Sequence, residues 1–180
     1  SDYLYEFMNH LGIKNSLLIG NSMGGHIALI FAKEHPQMVN GMILTGSSGL
    51  FENSLGNTFP RRGDKDYIRK KTQEVFYDPS LATEELVNRV YETANKRTSI
   101  LKLLGYAKSA IRHNMANDLP NLDINTCLIW GKEDQVLPSS HALDLPGSFA
   151  IHIFPNTGHM VHIEQSQVIN RLIWENSAQE

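Results

Sequence analysis

Gly20-Asn21-Ser22-Met23-Gly24 sets a hydroxyl between two glycines. Small flanking residues let a chain fold back sharply on either side of a serine, so the hydroxyl stands clear of the backbone. An apolar run, residues 16–20, ends at the motif, and a run of small and apolar residues, 23–33, begins inside it. This order predicts strand, turn and helix, with Ser22 at the apex as a nucleophile. The backbone N–H of Met23 then faces the position where an oxyanion would form, and the helix N-terminus adds positive potential there. A glycine-rich strand-to-helix turn without chemistry is the competing reading.

A serine hydroxyl needs a base. Of the eight histidines, His159 lies just past an apolar run, 149–154, through Pro155-Asn156-Thr157-Gly158. That is the carboxyl end of an expected strand, where open parallel sheets place their sites. The base in turn needs a carboxylate to hold its tautomer. Asp134 follows another apolar run, 124–130, through Gly131-Lys132-Glu133; Glu133 is the adjacent rival and is expected to be solvated. The segment Thr45-Gly46-Ser47-Ser48 offers no carboxylate, which favours Asp134. His152 is expected to pack within its strand, and His26 on one face of the helix after Ser22. A zinc pair of His159 and His162 lacks a third ligand at a convincing spacing.

The elements that would position these groups are readable from periodicity. Apolar residues Leu4, Phe7, Met8 and Leu11 predict a helix over 2–11, with Gly12 as its end signal. Short apolar runs at 16–20, 38–45, 124–130 and 149–154 predict strands buried on both faces, and 165–174 a closing helix. The stretch from Phe51 to Asp118 differs. It holds 12 of the 16 Lys and Arg residues but only 9 of the 19 Asp and Glu residues. Helices are expected over 66–76, from an N-cap at Thr83, and along Ile100, Leu104, Ala107 and Ile111, with a turn at Asp78-Pro79-Ser80. The fold class is therefore α/β: a mostly parallel sheet with helices on both faces and an inserted helical segment. The expected division is 1–50 and 119–180 for the core and 51–118 for the insertion.

The chain of 180 residues carries a formal charge of -3, with 41% hydrophobic residues, enough for one core and unlike a nucleic-acid or anionic-membrane binder. Its one cysteine, Cys127, excludes an intramolecular disulfide and is expected in the core. No apolar run is long enough to span a bilayer, and a cytoplasmic location is expected. The expected partner is a small-molecule substrate, with a homo-oligomer left open; no metal or organic cofactor is implied. Candidate substrate contacts are Asn21, Arg112 and Met160. The cationic surplus of the insertion, with Arg61, Arg62 and Arg112, reads either as recognition of an anionic substrate or as a solvated helix face.

With these motifs in view, the sequence resembles the α/β-hydrolase superfamily with a helical cap. Gly20-Asn21-Ser22-Met23-Gly24-Gly25 is most similar to the elbow of meta-cleavage product (carbon–carbon bond) hydrolases and related esterases. Trp130-Gly131-Lys132-Glu133-Asp134 and Gly158-His159, with Glu164 after them, are similar to the family's acid and histidine loops. The order Ser22, Asp134, His159 is the order that this fold requires. The serine sets the chain apart from haloalkane dehalogenases and epoxide hydrolases, which carry an aspartate there. Two departures stand out: Met160 occupies the place where carbon–carbon hydrolases carry a tryptophan, and the family's early strands and the loop giving a second oxyanion N–H precede what Ser1 begins. The resemblance implies carboxylic ester hydrolysis, with carbon–carbon cleavage and a cofactor-free perhydrolase or haloperoxidase as rivals. A catalytically dead ligand-binding module is the non-enzyme alternative.

The expectation is thus of the larger part of a hydrolase, with residues 17–19 forming an exposed sheet edge. The isolated 180-residue chain should self-associate or melt at low temperature, and should hydrolyse esters weakly, since one lost oxyanion donor costs about 10²–10³ in rate. Size-exclusion chromatography and calorimetry check this; a monodisperse monomer with a sharp cooperative melt would contradict it.

Overall fold

The computed structural model describes residues 1–52, 61–147 and 149–177. Four strands form one sheet in the order β1 (Ser16–Asn21), β2 (Val39–Thr45), β3 (Thr126–Gly131) and β4 (Ala150–Phe154), and every neighbouring pair is parallel. Parallel strands need long crossovers. Helix α2 (Met23–Glu34) makes the first, and a helical insertion makes the second.

Alternation along each strand explains why both faces are covered. Met42, Leu44, Leu128 and Trp130 face α2, whose Ala28, Leu29, Phe31 and Ala32 are buried against them. Ile43, Cys127 and Ile129 point the other way, onto Val161 and Ile169 of the C-terminal helices α7 (Val161–Glu164) and α8 (Ser166–Ser177). A strand buried on both faces must be apolar at every position, as β3 is throughout its six residues apart from Thr126. Cys127 takes the core position expected of it, and burial pushes its thiol above the ordinary range. β1 is the edge of this sheet, and Ile19 is 50% exposed there.

The insertion contributes α3 (Lys65–Gln73), α4 (Glu84–Asn95) and α5 (Arg97–Arg112). The first two begin at side-chain caps: Asp64 accepts from Tyr67 N and Thr83 from Leu86 N. The turn expected at Asp78-Pro79-Ser80 is a single 3-10 turn, Pro79–Leu81, capped by Asp78. α1 (Asp2–His10) ends one residue before the expected limit, and the short α6 (Ser140–Leu143) and α7 were not anticipated. Positions 53–60 of the expected insertion lie outside the described residues. None of the described helices is long and apolar enough to cross a membrane.

The two ends of the insertion meet over α2. Met115 N donates to Gly49 O at 2.6 Å, and the Glu52 carboxylate accepts from Gly49 N and Leu50 N. His26, buried on α2, donates from Nε2 to His113 O at 2.9 Å. It is more than one face of its helix: it joins the core to the returning end of the insertion. Desolvation holds His26 below its ordinary value of 6.5, against the opposing pull of the His113 carbonyl and Glu52.

That depression has a sign. Below about pH 6.5 an unfolded His26 takes up a proton that the folded one refuses, so protons favour the unfolded state. The stability is intact above the unfolded pKa and is lost as pH falls from there through the folded value. The melting temperature should fall between pH 7.5 and 5.5, and His26→Gln, which keeps a donor without a titrating group, should flatten that fall; one group accounts for at most about 1.4 kcal/mol per pH unit. Equal slopes for wild type and variant in a thermal-melt series would remove His26 from the account.

Candidate active site

All four strands deliver loops to the same end of the sheet: Ser22 follows β1, Gly46 to Ser48 follow β2, Asp134 follows β3 and His159 follows β4. Side chains far apart in sequence are thereby gathered with little freedom left to each.

Ser22 has φ 50 and ψ -117, outside the regions that L-residues favour. Such strain persists only where surrounding bonds over-determine the backbone. Here Ser22 N donates to Thr45 O at 3.0 Å, and Ser22 O accepts from Gly25 N, His26 N and Ser48 N. The turn is so tight that a Cβ at Gly20 would lie 2.5 Å from the Gly24 backbone. The expected strand–turn–helix around Ser22 is what the chain forms. Met23 is the first residue of α2, and N–H groups of a first helical turn have no carbonyl partner within the helix.

His159 and Asp134 form a buried pair. Nδ1 donates to Asp134 Oδ2 at 2.8 Å, with side-chain exposures of 6% and 0%. Asp134 Oδ1 accepts from Val136 N at 2.8 Å and Leu137 N at 2.9 Å. Both carboxylate oxygens are therefore satisfied, as a buried charge demands. The bond at Nδ1 leaves Nε2 as the acceptor of a neutral imidazole, the form a general base needs.

Gly46 supplies the floor beneath the pair. Its φ is +47, and a Cβ there would stand 3.0 Å from His159 Nδ1 and 3.3 Å from Asp134 Oδ2. His162 is pushed below its ordinary value first by desolvation and then by nearby His159. Among the described residues no group of three or more His, Cys, Asp or Glu side chains is placed to hold a metal ion.

Asn21, expected at the substrate, donates from Nδ2 to Thr45 O at 3.0 Å, Thr45 Oγ1 at 3.1 Å and His159 O at 3.4 Å. Those bonds tie the Ser22 turn to the histidine loop, so its amide donors serve the scaffold. Arg112 is exposed in the last turn of α5, where a cation complements the helix dipole. Met160 is half-buried beside His159, and its N–H donates to Val75 O at 3.2 Å. Glu133, expected to be solvated, is half-buried and accepts from Thr157 N at 3.1 Å, bracing the loop that carries His159. A glutamate beside an aspartate gives no sequence signal for that bond, because its partner is a backbone amide.

Comparison with known proteins follows from this geometry. Residues 1–166 match the family described as alpha/beta hydrolase fold. A 2-hydroxy-6-oxononadienedioate/2-hydroxy-6-oxononatrienedioate hydrolase of Comamonas testosteroni is 32% identical, over 92% of this chain and 63% of the relative. A 2-hydroxy-6-oxo-6-phenylhexa-2,4-dienoate hydrolase of the same organism is also 32% identical, over 92% and 63%. The chain thus spans less than two thirds of the length of these curated relatives. Among solved structures, a meta-cleavage product hydrolase from Pseudomonas fluorescens superposes with a TM-score of 0.83 at 28% identity, covering 97% of this chain and 69% of that one. An α/β hydrolase from a lagoon-sediment metagenome reaches 0.71 at 37% identity, covering 97% and 66%.

A methyl group at position 46 tests the crowding under the imidazole. Gly46→Ala combines an unfavourable positive φ with a contact on His159 Nδ1, and should lower stability by about 1–3 kcal/mol. Turnover should fall further than stability explains, on the order of tenfold or more, because the ring must move. Denaturant melts and kcat measured on the same preparation separate the two effects.

Proposed function

The chain belongs to the α/β-hydrolase family, and from that premise we propose that the protein is a serine-dependent hydrolase of carbonyl substrates, with Ser22, His159 and Asp134 as its triad. The observation that carries the proposal is the buried His159–Asp134 pair at the sheet end that also holds the strained Ser22.

In this reading Ser22 Oγ attacks the carbonyl carbon while His159 Nε2 accepts the hydroxyl proton. Negative charge develops on the carbonyl oxygen, where the Met23 N–H and the start of α2 stabilise it. Asp134 stabilises the imidazolium without taking its proton. Collapse of the adduct breaks the bond to the leaving group, and His159 returns the proton to that group. Water, deprotonated by His159, then releases Ser22 from the acyl intermediate. The insertion acts as a cap that shapes the pocket for acyl and leaving groups.

Two bonds fit this sequence of steps. The named relatives favour a carbon–carbon bond, in which the leaving group is a carbanion delocalised into a conjugated enol. Met160, in place of the tryptophan that carbon–carbon hydrolases carry after the histidine, favours a carboxylic ester, in which the leaving group is an alkoxide. Both substrate types offered to the full-length protein decide between them by relative kcat/KM.

A fluorophosphonate probe should label the full-length protein, and Ser22→Ala should abolish labelling and lower hydrolysis by about 10⁴-fold or more. Asp134→Asn keeps the shape of the acid but presents the wrong tautomeric partner, and should cost on the order of 10³–10⁴ in kcat. Hydrolysis that survives in Ser22→Ala with its burst intact would sink the proposal.

A further inference from the structure

The loop that carries His159 is held by backbone groups of the insertion as well as by the core. Val75 O, just beyond α3, accepts from His159 N at 2.9 Å and from Met160 N at 3.2 Å. Glu164, at the end of α7, uses its two oxygens on different elements: Oε1 accepts from Tyr77 N at 2.7 Å, and Oε2 accepts from Gly158 N at 2.8 Å. The two backbones touch. A Cβ at Gly158 would lie 2.7 Å from Tyr77 N and 2.8 Å from Phe76 C. One carboxylate thus bridges the residue before the histidine to the segment 75–77 of the insertion, and that segment grips the histidine itself.

From this geometry we propose that Glu164 is a positioning residue: it fixes segment 75–77 against the histidine loop, so that the placement of the insertion sets the placement of the His159 imidazole. The inference rests on the reading of His159 as the base. It is independent of the substrate, because none of the four hydrogen bonds involves one. A carboxylate suits the role because it only accepts, and both groups it faces are N–H donors. The bonds to a charged acceptor are stronger than neutral ones, and their two donors belong to the two segments that Val75 O also joins. A shift of about 1 Å in a catalytic group is enough to cost on the order of a hundred-fold in rate.

Glu164→Gln tests this with volume kept and one acceptor oxygen replaced by an NH₂ that faces an N–H. In the full-length protein kcat should fall about ten- to hundred-fold, with KM within about twofold and fluorophosphonate labelling of Ser22 slowed in proportion. Amide hydrogen exchange should quicken at Tyr77 and His159 together. Gly158→Ala should give the same kinetic signature by pushing Tyr77 away with Glu164 intact, and the double variant should be little worse than the poorer single one. Should Glu164→Gln fail to fold, Gly158→Ala carries the test alone. A stability change with kcat unaltered would overturn the inference, as would unchanged exchange at Tyr77 and His159. If wild type is not labelled and Ser22→Ala hydrolyses normally, the hydrolase reading has failed instead; the exchange result then still decides the clamp.

Discussion

A buried imidazole–carboxylate pair is the constraint on which the rest of this structure depends. Removing a carboxylate from water is costly unless every oxygen finds a donor. Asp134 meets that demand with one imidazole N–H and two backbone amides, all within 2.9 Å. Such an arrangement tolerates little drift, because a carboxylate that loses a donor in a dry site loses most of its compensation. Three loops must therefore be fixed at once: the acid loop, the histidine loop and the β2 loop beneath them. The parallel sheet does this by delivering all three at one end, and the smallness of Gly46 leaves room for the ring.

Ser22, Asp134 and His159 stood out in the sequence because each carried two signals, a residue type and a position after an apolar run. Ser22 added a third, the glycines that a tight turn needs. Asp134 was separated from Glu133 correctly as the partner of His159, yet Glu133 was misjudged as solvent-facing. Asn21 was named as a substrate contact, and nothing in its spacing signalled that its amide donates to Thr45 and His159. These cases share a cause. A side chain bonded to a distant backbone group leaves no trace in spacing or periodicity, because every residue offers a backbone.

The α3 boundary shows the same effect in reverse. Its apolar pattern continues to Phe76, and the sequence predicts a helix over 66–76. The helix ends at Gln73. Three residues are given up because Val75 O and Tyr77 N are engaged by the histidine loop and by Glu164 rather than by a further helical turn. Tertiary bonds thus override local propensity where the insertion meets the core. Strands β2 and β3, by contrast, shift by only a residue or two, since burial on two faces sets both their composition and their limits.

The charge of the insertion bears on what that contact surface does. A surplus of cations in one segment suggests an anion-binding patch, and four of these cations have local partners. Arg69 pairs with Glu84, Lys71 with Glu74, Arg62 donates to Asn95 O, and Arg61 lies over the Tyr67 ring. Exposed pairs of this kind are worth little each. Among the described residues, what reaches from the insertion to the histidine loop is neutral backbone: Val75 O, which accepts from His159 N and Met160 N, and Tyr77 N, which donates to Glu164. The contacts of the insertion with the histidine loop thus bear on placement, through the 75–77 segment, and carry no charge from the insertion.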